Sequence, residues 1–237
     1  TDDDFRLDFS TSYNKLSKSR KLLINEKEIT ANYLRKNIPM LWIAPYNEKI
    51  FTGPSRLRRI FLDRLVTIFD NEHSTRLNEY EKNLRQRARI LKEKSFDKSW
   101  IEVLEVQLSK LSVAICSSRL ELLERLKEYL KKTIKYFPKI DLNFVDSIEN
   151  RLDNEPAIDI EEDIAENYVR SREIDTLLGG SKVGSHKSNL IINNLDKNLL
   201  AELCSSGEQK SILISIVLSA AKAFKVYKKK ISNHIIR

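Results

Sequence analysis

The stretch Cys204-Ser205-Ser206-Gly207-Glu208-Gln209-Lys210, running into Ile212, Leu213, Ile216, Val217 and Ala220, governs how the rest of the 237-residue chain is read. Its apolar residues recur at helical spacing, so a helix runs from Gly207 to about Tyr227. Ser205 with Glu208 and Ser206 with Gln209 both match the Ser-x-x-Glu/Gln capping box, which is a purely structural reading. Gly207 does not fit it, because a glycine inside a helix costs roughly 0.5–1 kcal/mol against alanine. Close approach of a ligand to the backbone supplies a reason for the glycine. A helix start with free N–H groups and serine hydroxyls is an anion site.

Working outward, the chain has only five glycines, Gly53, Gly179, Gly180, Gly184 and Gly207. No two are separated by a single residue, which excludes the dinucleotide fingerprint GxGxxG. Gly179 and Gly184 have the separation of a phosphate-cradling P-loop, but Ser185 follows where lysine must stand. Cys116 and Cys204 are too few for a disulfide framework or a zinc cluster. His73, His186 and His234 lie far apart, without a Gly-x-Ser-x-Gly elbow or a His-Glu-x-x-His helix to organise them. Neither a catalytic residue nor a metal site is therefore expected within the chain. The longest apolar run, Ile212 to Ala221, is broken by Ser215 and Ser219 and falls short of the ~20 residues that cross a bilayer. With no signal peptide visible, the expectation is a cytoplasmic protein without a membrane partner.

The net charge of +8 is unevenly placed. Residues 53–94 hold eleven Lys/Arg against six Asp/Glu, and the last thirteen residues carry five basic residues and no acid. Residues 146–166 hold nine acids and one arginine. A basic stretch beside an acidic one suggests a polyanion-facing side, nucleic acid being the commonest such partner. The competing reading is a solvated helix face with intrahelical pairs such as Glu81 with Arg85.

Phe5 to Phe9 and Lys21 to Ile29 read as a strand pair, and Ile38 to Ala44 as a buried strand. Gly53-Pro54 opens a helix with proline at its first position. Residues 54–137 then read as two amphipathic helices of about forty residues each, joined by a turn at Ser95–Ser99. Leu57, Ile60, Phe61, Leu65 and Ile68, then Leu77, Tyr80, Leu84, Ala88 and Leu91, stripe the first helix. Ile101, Leu104, Leu108, Leu111 and Ile115, continued by Leu123, Leu126, Leu130, Ile134 and Phe137, stripe the second. Such a pair forms an antiparallel helical hairpin able to pack as a short coiled-coil arm, with Trp100 as an apolar anchor. Beyond Pro138, Ile140 to Val145 alternates like a strand, Ile158 to Arg172 is an acidic helix, Leu178 to Ser188 a loop, and Leu190 to Ile192 a strand. The expected fold class is α/β and helix-rich, with an inserted helical lobe.

Three segments carry a resemblance to a known family. Ser-Ser-Gly-Glu-Gln-Lys resembles the signature motif of the ABC-type ATPases of DNA repair and chromosome maintenance. Gly53-Pro54-Ser55-Arg56-Leu57-Arg58-Arg59-Ile60-Phe61-Leu62-Asp63 resembles the Arg-Arg-x-Phe-Leu-Asp segment of the RecF family of bacterial recombination mediators. Gly184-Ser185-His186-Lys187-Ser188-Asn189-Leu190 resembles that family's Gly-Pro-His-Arg-x-Asp-Leu segment, with Ser185, Lys187 and Asn189 departing from it. The three motifs stand in the family's order, and the resemblance covers the chain from about Pro39 to Val226.

The resemblance implies an ABC-type ATPase head interrupted by a helical lobe. Residues 1–52 would belong to ATPase lobe I, residues 53–175 to helical lobe II with its arm, and residues 176–237 to the head again. The P-loop would lie upstream of Thr1 and the Walker B strand beyond Arg237, so the chain alone would not be catalytic. The full protein would bind ATP and Mg2+, show weak ATPase activity as a dimer, and clamp gapped and single-stranded DNA. Its partners would be a second copy and recombination mediator proteins, acting in DNA repair, replication restart and the SOS response. Ser205, Ser206, Gly207, Glu208, Gln209 and Lys210 would bind nucleotide held by the opposite subunit. Arg56, Arg58, Arg59, Arg64, His186 and Lys187 are candidates for DNA contact. Pairing of Arg58 or Arg59 with Asp63, simply fixing the helix, is the structural alternative for the arginines. Two other readings compete: a non-enzymatic DNA-binding or scaffolding module in which Ser205 and Ser206 are only caps, and another ABC-type chromosome-maintenance ATPase. A hairpin of forty rather than hundreds of residues per helix weighs against the latter.

Overall fold

In a computed structural model, residues 8–15, 18–30, 33, 41, 43, 49–93, 98–131 and 136–235 are described, the side chains of 131 and 228–235 excepted. The chain divides into two compact units, Thr1–Met40 and Leu41–Arg237.

The first unit contains an antiparallel meander of β1 (Phe9–Asn14), β2 (Ser19–Ile24) and β3 (Lys27–Ile29). Phe9 faces Ile24 and Asn14 faces Ser19, while Ile24 faces Lys27 across the second turn. Asn25 and Glu26, at φ +48° and +65°, form that two-residue turn. Two successive left-handed residues match the twist of the flanking strands, and asparagine tolerates the conformation well. The single run expected over Lys21 to Ile29 is therefore two strands. The strand expected at Phe5 to Phe9 instead starts at Phe9, with Phe5 to Leu7 outside the described residues.

In the second unit, the expected strand at Ile38 to Ala44 falls mostly outside the described residues, and Leu41 and Ile43 have no regular structure. Helix α1 (Lys49–Thr52) buries Ile50 and Phe51. Gly53 follows because a Cβ there would stand 2.5 Å from the Lys49 carbonyl oxygen. Helix α2 (Ser55–Phe69) begins after Pro54, and α3 (His73–Ile90) after a break at residues 70–72. This break corrects the expected forty-residue first helix. Asp70 is extended, at φ −129° and ψ 99°. Its carboxylate accepts hydrogen bonds from Arg76 at 2.6 Å, Ser118 at 2.9 Å and the Glu72 N–H at 3.0 Å. Those bonds hold the chain out of the helix at this point.

Helix α4 (Lys98–Lys131) is 34 residues, about 50 Å at 1.5 Å per residue. It is followed by β4 (Ile140–Val145), α5 (Ile148–Leu152), α6 (Ala157–Arg170) and α7 (Arg172–Leu178). A 3-10 turn (Ser185–Lys187) leads into β5 (Asn189–Asn194) and β6 (Leu199–Leu200), and a second (Ala201–Leu203) precedes α8 (Ser206–Ile235). The small sheet is antiparallel, with Ile140 opposite Asn194 and Val145 opposite Asn189. Strict alternation buries Ile140, Leu142, Phe144, Leu190 and Ile192 on one face.

Two hydrophobic clusters form along α4. Toward its N-terminus, Ile101, Leu104, Leu108 and Ile115 pack with Tyr80 and Ile90 of α3 and Ile160, Ile164 and Tyr168 of α6. Toward its C-terminus, Leu122, Leu123, Leu126 and Leu130 pack with Phe61, Leu62 and Leu65 of α2, the sheet, and Ile212, Leu213 and Ile216 of α8. Among the described residues no helix is long and apolar enough to cross a membrane. Leu126 is fully buried in the second cluster. Leu126→Ala is expected to lower stability by about 2–5 kcal/mol, read from the shift in denaturant midpoint.

Candidate functional site

The segment Arg58 to Asp63 and the loop Gly184 to Asn189 are bonded to each other. Arg59 Nη1 donates to the Ser188 carbonyl at 2.8 Å and to Ser55 Oγ at 2.9 Å. Arg58 Nη1 donates to the Ile50 carbonyl at 3.2 Å, and its Nη2 reaches Asn189 Oδ1 at 3.5 Å. Neither arginine pairs directly with Asp63, which corrects the structural alternative. Both guanidinium groups are half-buried and engaged with the neighbouring loop. Arg56 lies exposed on α2, and Arg64 is half-buried two turns further on.

Asp63 is buried and takes Arg119 of α4 as its partner, with Nε to Oδ1 at 2.7 Å and Nη2 to Oδ2 at 2.8 Å. His73 Nε2 donates to the same Oδ1 at 2.9 Å. Arg119 Nη1 also donates to the Ser185 carbonyl at 2.7 Å and to Ser188 Oγ at 3.2 Å, with Glu149 of α5 at 3.5 Å. Burial pushes the Asp63 carboxyl up, but the Arg119 charge and the hydrogen bonds from His73 and Arg119 outweigh it and hold the group below its usual range. A second buried cluster lies nearer the N-terminus of α4. There Arg87 contacts Glu105 at 2.8 Å, Asp175 at 2.7 Å and the Tyr168 carbonyl at 2.7 Å, and Arg172 also binds Glu105.

These ions were missed in the sequence, though a signal exists. Glu105 and Arg119 stand on the α4 stripe itself, four residues after Ile101 and Ile115. A charge inside an apolar stripe marks a buried ion seeking a partner.

His186 is half-buried, with both ring nitrogens engaged. Its Nε2 lies 2.9 Å from the Ser181 carbonyl, which can only accept, so Nδ1 accepts from the Tyr80 hydroxyl at 2.7 Å. Tyr80 in turn takes a hydrogen bond from Tyr168 at 3.2 Å. Gly184, at φ +116°, is required here, because a Cβ would stand 2.1 Å from the Tyr80 hydroxyl and 2.5 Å from that of Tyr168. Lys187 is exposed at the rim of a cavity of about 700 Å3 that Arg151 and Asp163 also line. Trp100 is not an apolar anchor, being 52% exposed beside the equally open Val103.

The motif at residues 204–210 closes on itself at one box only. Ser205 N–H donates to Glu208 Oε2 at 2.9 Å and Glu208 N–H to Ser205 Oγ at 3.4 Å. Gln209 does not form the second box. It is buried, and its Nε2 donates to the carbonyls of Ala201 at 3.0 Å and Glu202 at 3.3 Å, fastening the turn before α8. Ser205, Ser206, Gly207 and Lys210 are exposed. A Cβ on Gly207 would meet nothing within 4 Å, and its φ lies outside the left-handed region. The protein's own packing thus gives no reason for the glycine. Arg58, Asn189 to Ile192 and Leu200 to Glu202 together line a cavity of about 120 Å3, so the first two motif segments meet the turn that Gln209 fastens ahead of α8.

Burial, reinforced by the Lys187 and Arg59 charges, pushes His186 below its usual value, so the folded state favours neutral imidazole. A depressed histidine contributes stability above its unfolded value of about 6.5 and loses it as pH falls through the lower folded value. Thermal melts between pH 7.5 and 5 are expected to fall more steeply for the wild type than for His186→Gln, by at most about 1.4 kcal/mol per pH unit.

No protein-family model matches the sequence. Among curated proteins it is 37% identical over 216 residues to the DNA replication and repair protein RecF of Rickettsia typhi, covering 90% of this chain and 59% of that protein. The RecF of Rickettsia bellii is 35% identical over 212 residues with the same coverage. In fold, the chain matches a solved structure described as the recombination mediator protein RecF-ATPrS in the RecFOR pathway. The TM-score is 0.76 at 21% identity, over 94% of this chain and 61% of that one. The corresponding RecF-ATP structure matches with a TM-score of 0.69 at 19% identity, over 87% of this chain and 57% of that one. The chain spans about three fifths of the length of these relatives, and across that span it is similar to RecF in sequence and in fold.

Proposed function

We propose that this chain acts within a longer RecF-type polypeptide as part of an ATP-dependent DNA-repair clamp, and that it supplies the half of the nucleotide site used by a partner subunit. The observation that carries the reading is the start of α8. Ser205, Ser206 and Gly207 stand exposed at the head of a 30-residue helix, and the glycine leaves open space where a side chain would project. Unpaired N–H groups and the helix dipole favour an anion there, and the terminal phosphate of ATP has the chemistry to fill it. The names of the solved relatives, RecF with ATP and with ATPrS, support ATP as the nucleotide. Mg2+ would accompany that ATP on residues outside this chain. In this reading residues 53–175 form lobe II with its arm, and residues 176–237 return to the head.

DNA contact belongs to the exposed cations. Arg56 and Lys187 are free of the loop-fastening bonds that occupy Arg58, Arg59 and His186, and those three position the motif loops. The DNA is gapped or single-stranded, the second copy is an identical subunit, and the pathway partners are recombination mediators in the cytoplasm. Weak ATP hydrolysis accompanies the dimer.

In the full-length polypeptide, Ser206→Arg is expected to weaken ATP-dependent dimerisation at least about tenfold by light scattering while ATP still binds the monomer. An unchanged dimer would overturn the in-trans assignment. Arg56→Glu is expected to weaken DNA binding and to flatten the plot of log affinity against log salt by about one unit. Equal slopes would remove Arg56 from the interface.

A further inference from the structure

The mouth of α8 carries a negative charge of its own. Glu208 folds its carboxylate back over the helix start, where Oε2 accepts from the Ser205 N–H at 2.9 Å and from the Ser205 hydroxyl at 2.8 Å. For the helix alone this is favourable, since an anion near the N-terminus complements the dipole. For an arriving phosphate it is unfavourable, because like charges a few ångströms apart repel.

The other carboxylate oxygen, Oε1, is held by Lys197 Nζ. Lys197 lies in the turn between β5 and β6, outside α8 itself. That turn is fastened at several points. Leu195 N–H donates to the Lys139 carbonyl at 2.9 Å, Lys139 N–H to Asp196 Oδ2 at 3.0 Å, and Asp196 N–H to Asn194 Oδ1 at 3.1 Å. Asn198 completes it at φ +51°. The ammonium is thus presented to Glu208 from a fixed platform. The Lys197 hydrogen bond, followed by those from Ser205, holds the Glu208 carboxyl down at about 2. Without Lys197, Glu208 would face the phosphate as an uncompensated carboxylate.

We propose that Lys197 is a positioning residue of the phosphate site, whose ion pair with Glu208 cancels the carboxylate at the helix mouth and leaves the Ser205-Ser206-Gly207 backbone open to the terminal phosphate of ATP. This rests on the in-trans reading above. Its signature is conditional, because Lys197 matters only while Glu208 is charged. Glutamine at position 208 keeps an oxygen for the Ser205 N–H, and so keeps the cap, but removes the charge.

The test is a double-mutant cycle in the full-length polypeptide, reading the ATP-dependent dimer dissociation constant at low and high salt, with ATP as the nucleotide. Lys197→Met is expected to weaken the dimer about tenfold at low salt and by less at high salt, where charges are screened. The same substitution made in the Glu208→Gln background is expected to change the constant by less than about twofold. An equal loss in both backgrounds would overturn the proposal and make Lys197 a support of the turn, as would a loss that ignores salt. If Ser206→Arg abolishes the dimer while Lys197→Met leaves it intact, this inference alone fails. If Ser206→Arg leaves the dimer intact, the in-trans reading fails with it.

Discussion

The bidentate pair between Arg119 and Asp63 is the constraint on which the motif geometry depends. Asp63 lies on α2 and Arg119 near the middle of α4, and the remaining Arg119 donors reach the Ser185 carbonyl and Ser188 Oγ of the motif loop. One guanidinium therefore fixes two helices and a loop that are far apart in sequence. An ion so deeply buried is tolerated only with its partners in place, and removing one partner of such a pair typically costs about 3–5 kcal/mol. The stability it adds over an apolar packing of the same volume is small by comparison. Its effect is on specificity, because the guanidinium has five donors in a rigid fork and few arrangements satisfy them.

The glycine of the loop held this way and the glycine at the start of α8 differ in kind. Gly184 is packed against two tyrosine hydroxyls in a conformation that side chains avoid, whereas Gly207 faces open space with an ordinary backbone. The first glycine belongs to the fold. The second is unexplained by any internal contact, and the proposed phosphate site would account for it. Gln209 belongs to the structural set as well, since its amide points inward to the carbonyls of Ala201 and Glu202.

Much of this was legible in the sequence, for identifiable reasons. Ile140 to Val145 alternates and is a strand over the same residues, because a sheet with one buried face imposes a period of two. The helix after residue 206 follows from its apolar spacing and its cap. The break at Asp70 was not legible, because what interrupts the helix is a set of side-chain bonds from Arg76 and the distant Ser118. The partners of Arg58 and Arg59 were hidden in the same way. Counting charges on a helix face shows a basic stripe, but only the folded chain shows which guanidinium groups face a carbonyl rather than solvent. Asp63 was the reasonable local partner for Arg59, and a residue 56 positions away took it instead.

The continuity of α4 has a consequence for how the second unit comes apart. The two hydrophobic clusters have different partners, but both are built on this one helix, with Ile101 to Ile115 in one and Leu122 to Leu130 in the other. Neither cluster can lose its share of α4 without fraying the hydrogen-bonded rod that serves the other. The amides of α4 should therefore exchange with solvent as a single protected block, at the free energy of opening the whole unit, while those of the short helices around it open locally.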